Sequence, residues 1–195
     1  EAVMGNVKLS VKLIGGFVAV AVITTVVGLA GWYGLSASAR IAKHLIFSKQ
    51  IIQKEVDHLN WVLKAGEFLS NDNITALEVE KDEHKCGFGK WYYSEDRKGA
   101  EAAFPGIEGF LKQIEEPHRK LHQSAVNLEI ILQKGKESRP EAIQYYEKET
   151  RGYFKEVREL LRSIITTVEK SMQETDKSAE SRVNQAKVIS LAGIF

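Results

Sequence analysis

The sequence predicts an all-α protein: an up-and-down four-helix bundle with an N-terminal transmembrane helix that is continuous with the first bundle helix. Apolar residues recur at three- and four-residue steps over long stretches, as on one face of an α-helix. The chain has 3 prolines in 195 residues, so long helices are rarely interrupted. No stretch of any length alternates apolar and polar residues as a half-buried strand does. These three observations together favour a helical bundle.

Residues 13–35 are predicted to form a transmembrane helix, preceded by a cytoplasmic tail at 1–12. The stretch carries no charged side chain and has Trp32 and Tyr33 near its end. About 20 apolar residues cross a bilayer, and aromatic residues commonly mark its edge. A cleaved signal peptide is the rival interpretation, because Ala37-Ser38-Ala39 is typical of a cleavage site. The apolar region of a signal peptide is ordinarily only about 7–15 residues long, shorter than 13–35, which favours the uncleaved anchor.

The region 36–187 is predicted to form an extracytoplasmic helical-bundle sensor domain. Its first helix covers 38–70, 71–73 break it, and 74–83 form a short helix. A glycine-containing turn at 86–93 then leads into another short helical piece. Ile41, Leu45, Ile52, Val56, Leu59 and Leu63 recur there at close to helical spacing, so the first helix is expected to continue straight out of the membrane.

Two further helices complete the predicted bundle. One opens at Pro105-Gly106, and a long last helix starts near Pro140, with Gly135 between them. The apolar seam of the last helix consists of Phe154, Val157, Leu161, Ile164 and Val168. Such a seam predicts a parallel homodimer, if apolar surface is left over once the bundle core is filled. The apolar end at 188–195 is interpreted as the start of a second transmembrane helix.

Charge and cysteine content narrow the function classes. The chain has 27 basic and 26 acidic residues, which argues against nucleic acid as a partner. A lipid bilayer is the partner that the apolar ends predict. With 1 cysteine, no internal disulfide can form. In an oxidising compartment a lone thiol needs to be buried or bound to a metal.

Four residues are candidate metal ligands: His58, Cys86, His118 and His122. His118 and His122 are four residues apart and therefore share one helix face, on a stripe with apolar neighbours. Three imidazoles and one thiolate complete a tetrahedral zinc shell if the fold brings the segments together. The alternative for each histidine is a hydrogen-bonded core residue, and for the cysteine a small buried hydrophobe. His44 and His84 are not expected to be ligands, and His84 is expected to be solvated.

The motifs around these ligands resemble the chemoreceptor zinc-binding (CZB) domain over about residues 50–130. The resemblance rests on His58 with Trp61, the string Cys86-Gly87-Phe88-Gly89-Lys90-Trp91-Tyr92, and Pro117-His118-Arg119-Lys120-Leu121-His122. It implies a four-helix bundle that holds Zn²⁺ through His58, Cys86, His118 and His122. Residues 7–17 are similar to the opening of methyl-accepting chemotaxis receptors.

The function predicted from these features is a zinc-binding sensor domain of a transmembrane bacterial chemoreceptor. It would lie in the periplasm at the inner membrane and signal through its first and last helices to cytoplasmic chemotaxis proteins. A receptor for a small organic ligand, with zinc structural or absent, is the alternative. A membrane-bound metal hydrolase would need an open ligand position and a general base, for which Glu115, Glu116 and Glu129 are the neighbouring carboxylates. A closed four-ligand shell favours a protein without enzymatic activity.

Overall fold

The computed structural model describes residues 8–71, 73–74 and 76–192, and within these ranges the protein is all-α without a strand. Six α-helices follow one another: α1 (Leu9–Ser70), α2 (Gly87–Tyr92), α3 (Glu95–Ala103), α4 (Glu108–Leu132), α5 (Arg139–Tyr145) and α6 (Arg151–Ala192). A 3₁₀ turn at Lys136–Ser138 precedes α5, and a π-helical turn at Tyr146–Thr150 joins α5 to α6. Contacts divide the chain into two compact units, Glu1–Lys43 and His44–Phe195.

The first unit contains the N-terminal part of α1. Its large apolar side chains between Leu9 and Leu35 are all more than half exposed. The hydroxyls of Thr24 and Thr25 donate to carbonyls within the same helix, so their polarity is satisfied locally. Among the described helices, α1 alone is long and apolar enough to cross a membrane.

In the second unit, α4 and the α5–α6 segment form an antiparallel hairpin. Residues that come earlier in α4 contact residues that come later in α5–α6. The contacting pairs are Lys134, just after α4, with Glu141, Asn127 with Tyr145, and Lys120 with Tyr153. Gly135, with φ of 116°, lies in the connection, where a residue with a side chain would be strained. The predicted seam of the last helix, from Phe154 to Val168, is buried. That seam is therefore used inside the protomer.

The second half of α1 runs antiparallel to α5–α6. Tyr146 donates its hydroxyl hydrogen bond to the Val62 carbonyl at 2.9 Å, and Arg158 and Arg162 both contact the Glu55 carboxylate within 3.0 Å. The side chains that α1 buries are Phe47, Ile51, His58, Trp61, Val62, Ala65 and Leu69.

The apolar residues whose spacing predicted the first helix do not lie on its buried face. Ile41, Leu45, Ile52, Val56, Leu59 and Leu63 are 40–58% exposed. The helix carries two apolar stripes, and helical periodicity alone does not say which one faces the core. The larger aromatic side chains and His58 lie on the buried stripe.

The segment between α1 and α2 also differs from the prediction. A short helix was expected at 74–83, but the described residues there form bends, a turn and irregular backbone. Glu80 and Asp82 accept hydrogen bonds from nearby backbone N–H groups, which competes with helix formation. In place of a fourth long helix, the described chain has α2, where a turn was predicted, and α3, which corresponds to the short helical piece expected after that turn. Residues 1–7 of the predicted cytoplasmic tail lie outside the described residues, as do residues 193–195 of the predicted second span.

Candidate metal centre

Three separate elements bring the four predicted ligands together in the second unit. His58 comes from α1, Cys86 immediately precedes α2, and His118 and His122 come from successive turns of α4. One ligand atom from each residue lies within 4.8 Å of all the others. The three imidazoles are at most 2% exposed, and Cys86 is partly exposed. The cluster is a polar centre inside a mostly apolar core.

The spacing of the ligand atoms fits a tetrahedral metal ion. Zinc bonds of 2.0–2.1 Å to nitrogen and 2.3 Å to sulfur predict edges of about 3.3 Å between two nitrogens and about 3.6 Å between nitrogen and sulfur. The Nε2 atoms of His118 and His122 are 3.1 Å apart, and Cys86 Sγ lies 3.3 Å from His118 Nε2 and 4.0 Å from His58 Nε2. Small shifts would complete the shell, so the residues present fit Zn²⁺.

The cysteine reaches the centre because the backbone around it is tightly folded. Cys86 is the N-cap of α2, and its sulfur accepts a hydrogen bond from the Gly89 N–H at 3.1 Å. A Cβ at Gly89 would lie 1.7 Å from the Glu83 carbonyl oxygen, so only glycine fits there. Gly89 therefore allows the turn that precedes α2 to pack directly against this helix. That packing places the Cys86 sulfur at the cluster.

Hydrogen bonds orient two of the imidazoles. His58 Nδ1 lies 2.6 Å from the Lys54 carbonyl oxygen, and His122 Nδ1 lies 2.8 Å from the Glu80 carbonyl oxygen. A carbonyl beside Nδ1 favours the tautomer that carries its proton there and leaves Nε2 free for a metal. The Nε2 atoms are the ones that point into the cluster.

Burial prepares the imidazoles for metal binding. Desolvation lowers the pKa of His58 to about 4 and that of His118 to about 2, and it also lowers the pKa of His122. Neutral imidazole is the form that binds metal, so all three are ready at neutral pH. Burial raises the pKa of the Cys86 thiol, although the N–H groups of Gly89 and Phe88 act in the opposite direction. A bound cation would be needed to keep this sulfur as a thiolate.

The remaining histidines lie elsewhere. The His44 ring packs edge-on against Phe104, and the His84 ring lies against Tyr93 with its side chain 58% exposed. His84 is thus at the surface, as expected, although it is only two residues from Cys86. The Glu80 carbonyl and the indole N–H of Trp61, which donates to that same carbonyl, were not anticipated. Every residue carries a backbone carbonyl, so the pattern of residue types cannot predict which carbonyl accepts these hydrogen bonds.

Comparison with protein families agrees with this geometry. Residues 58–128 match the model of the chemoreceptor zinc-binding domain, a stretch that begins at the first ligand and ends six residues after the last. This family binds zinc, and His58, Cys86, His118 and His122 are positioned to bind a metal ion. Neither the curated proteins nor the solved structures include a match to the chain.

Proposed function

We propose that this protein is the zinc-binding sensor region of a transmembrane bacterial chemoreceptor, with a four-helix bundle in which α2 and α3 together serve as the short fourth element. The observation that carries the proposal is the convergence of α1, the α2 N-cap and α4 on one metal-sized cluster. Zinc bound there would supply a fixed positive centre joining three elements, two of which, α2 and α4, are also joined by the hydrogen bond from the Tyr92 hydroxyl to the Leu111 carbonyl. The family match supports a signalling role, since it names a domain of chemoreceptors.

The membrane placement is supported by the exposed apolar surface of the first unit. Residues 13–35 belong to the same helix, α1, that carries His58. We assign 13–35 to the bacterial inner membrane, 36–187 to the periplasm, and 188–195 to the start of a second span. The signal then passes to chemotaxis proteins that bind cytoplasmic parts of the receptor.

The proposed route of the signal runs through α1 and α6. Glu55, one turn before His58, holds Arg158 and Arg162 of α6, and its side chain is only 14% exposed. A change in zinc occupancy that shifts His58 would therefore also shift the contact between α1 and α6. Those are the helices that continue toward the two proposed spans, so their relative movement is what the cell interior can detect.

A catalytic role is less well supported than a sensor role. Four protein ligands leave no open position for a reactive water. The three carboxylates near the histidine pair have other partners: Glu115 accepts from the Tyr92 hydroxyl, Glu116 pairs with Arg119, and Glu129 pairs with Lys81. None of these contacts leaves a carboxylate placed as a general base at the cluster.

A homodimer is part of the proposal, but its interface differs from the predicted one. Because the α6 seam is buried in the protomer, the leftover apolar surface lies on α1. Leu45, Ile52 and Leu59 follow one another at seven-residue intervals there, as do Val56 and Leu63. Heptad spacing of exposed apolar residues is typical of a helix that pairs with a second copy of itself.

The test uses the full chain in detergent, with hydrogen–deuterium exchange measured before and after zinc removal. Purified protein should contain one zinc per chain. Zinc removal should speed exchange in α4 and also at the facing parts of α1 and α6, around Glu55 and Arg158. The His118→Ala variant should need about 100- to 1,000-fold more zinc for the same response. If the response stays confined to the segment from 77 to 92, the proposed route through α6 is wrong.

The small-ligand alternative has one supporting observation. A groove of about 340 Å³ is lined by Lys64, Glu67, Phe68, Ile74, Ala76 and Glu78. Its mixture of both charges with a phenyl ring would suit a small zwitterionic molecule. Charge-reversal at Lys64 would abolish binding of such a ligand without altering zinc content, which separates this function from the first.

A further inference from the structure

One backbone carbonyl in the segment between α1 and α2 accepts two hydrogen bonds from buried side chains. The Glu80 carbonyl oxygen lies 2.8 Å from His122 Nδ1 and 2.6 Å from Trp61 Nε1. Trp61 is 7% exposed, and its ring meets the His122 ring edge-on at 5.5 Å. A carbonyl oxygen has two lone pairs, so both donors can be satisfied at once.

The two oriented imidazoles differ in how their acceptors are held. The acceptor for His58 is the Lys54 carbonyl, one turn earlier in the same helix, so α1 itself fixes it. The acceptor for His122 lies 42 residues away in a segment without helical hydrogen bonds at that point. The orientation of His122 therefore depends on whatever fixes the Glu80 carbonyl.

Three groups hold that carbonyl in place. The Glu80 side chain accepts hydrogen bonds from the N–H groups of Lys81 and Asp82, both at 3.0 Å, which shapes the local turn. Lys81 pairs with Glu129 of α4, but both side chains are about a third exposed, and such pairs contribute little. The indole hydrogen bond has the more deeply buried donor, since Trp61 is 7% exposed, and that donor is fixed on α1.

We propose that Trp61 is a positioning residue for the metal: its indole N–H holds the Glu80 carbonyl, which in turn orients His122 toward zinc. Trp61 follows His58 by three residues, so one turn of α1 provides both a direct ligand and the group that positions another. Loss of such an outer contact typically costs 10- to 100-fold in metal affinity. The proposal rests on the zinc site and not on the signalling role.

The decisive variant is Trp61→Phe in the full chain, because it keeps a large aromatic ring and removes the donor. Zinc affinity, measured by competition with a chromophoric chelator, should fall about 10-fold. Tyr146→Phe is the matched control, since it removes a buried hydroxyl that donates to the Val62 carbonyl and touches no metal ligand. Its zinc affinity should stay within about twofold of the wild type.

A second measurement separates positioning from general stability. Co²⁺ absorption bands report the ligand geometry, and they should change in Trp61→Phe but not in Tyr146→Phe. Glu80→Ala provides an independent variant at an exposed side chain, and removal of its turn-forming contacts should also weaken zinc binding.

The outcomes are distinct. Equal losses in Trp61→Phe and Tyr146→Phe, or unchanged cobalt spectra, would overturn the positioning role. If Trp61→Phe does not fold, Glu80→Ala decides: unchanged affinity there overturns the proposal, and a loss supports it. Wild-type protein that binds no zinc would instead overturn the proposed function.

Discussion

Removal of His118 is the sharpest perturbation of the metal centre. Its Nε2 lies 3.3 Å from Cys86 Sγ and 3.1 Å from His122 Nε2, so it contacts two of the other ligand atoms. Structural zinc sites with four ligands bind with about 10–16 kcal/mol, or roughly 2.5–4 kcal/mol for each ligand. Because 1.4 kcal/mol corresponds to a factor of ten, His118→Ala should weaken zinc binding about 100- to 1,000-fold.

The assay is chelator competition at pH 7, followed by metal analysis of the protein after dialysis. A water molecule can replace the lost imidazole, so the lower end of the range is expected if the site relaxes around it. His84→Ala is the matched control, since that imidazole lies outside the cluster and its side chain is 58% exposed. Its affinity should change less than threefold. Equal losses in the two variants would refute the assignment of His118 as a ligand.

Three further outcomes are expected. In zinc-free protein the pKa of His58 is about 4, below the 6.5 of an unfolded chain, so acid protonates the unfolded state first. Stability should therefore fall by roughly 3 kcal/mol from this imidazole between pH 6.5 and 4, and urea titrations that show no such fall would contradict the burial argument. Hypochlorous acid or peroxide should release zinc, as followed with a zinc-sensitive dye, because a zinc-bound cysteine is a thiolate. Cys86→Ser should lose this response, and release only after the helical signal is lost would make the sulfur a structural ligand alone. Finally, Ile52→Glu should convert a dimer to a monomer in sedimentation experiments. Ile143→Glu, at an apolar side chain exposed to a similar degree on α5, should not.

The chemistry of the metal centre could be predicted because it depends on residue types. Three histidines and one cysteine form a zinc donor set in any arrangement that brings them together, and their neighbouring motifs are specific enough to resemble one family. The four-residue spacing of His118 and His122 fixes their shared helix face through local geometry alone. The buried seam of α6 was also predictable from local helix geometry, because its three- and four-residue steps place those side chains on one face.

Other features depended on contacts between distant segments. Helical periodicity located α1 but not its buried face, since two apolar stripes are present and only packing against α5–α6 selects one. The described residues between 73 and 86 lack the predicted helix because polar side chains there bond to nearby N–H groups and the Glu80 carbonyl is used by α1 and α4.

By itself, then, the sequence determined an all-helical chain, its apolar stretch at 13–35 and the donor atoms for zinc, because these follow from composition and short-range spacing. Only the tertiary structure decided that the Glu80 carbonyl orients His122, that Gly89 must lack a side chain, and that the exposed apolar stripe lies on α1. The first and third arise where residues tens of positions apart pack together, and the second depends on how the turn at Glu83 packs against Gly89. Local periodicity carries no information about such contacts.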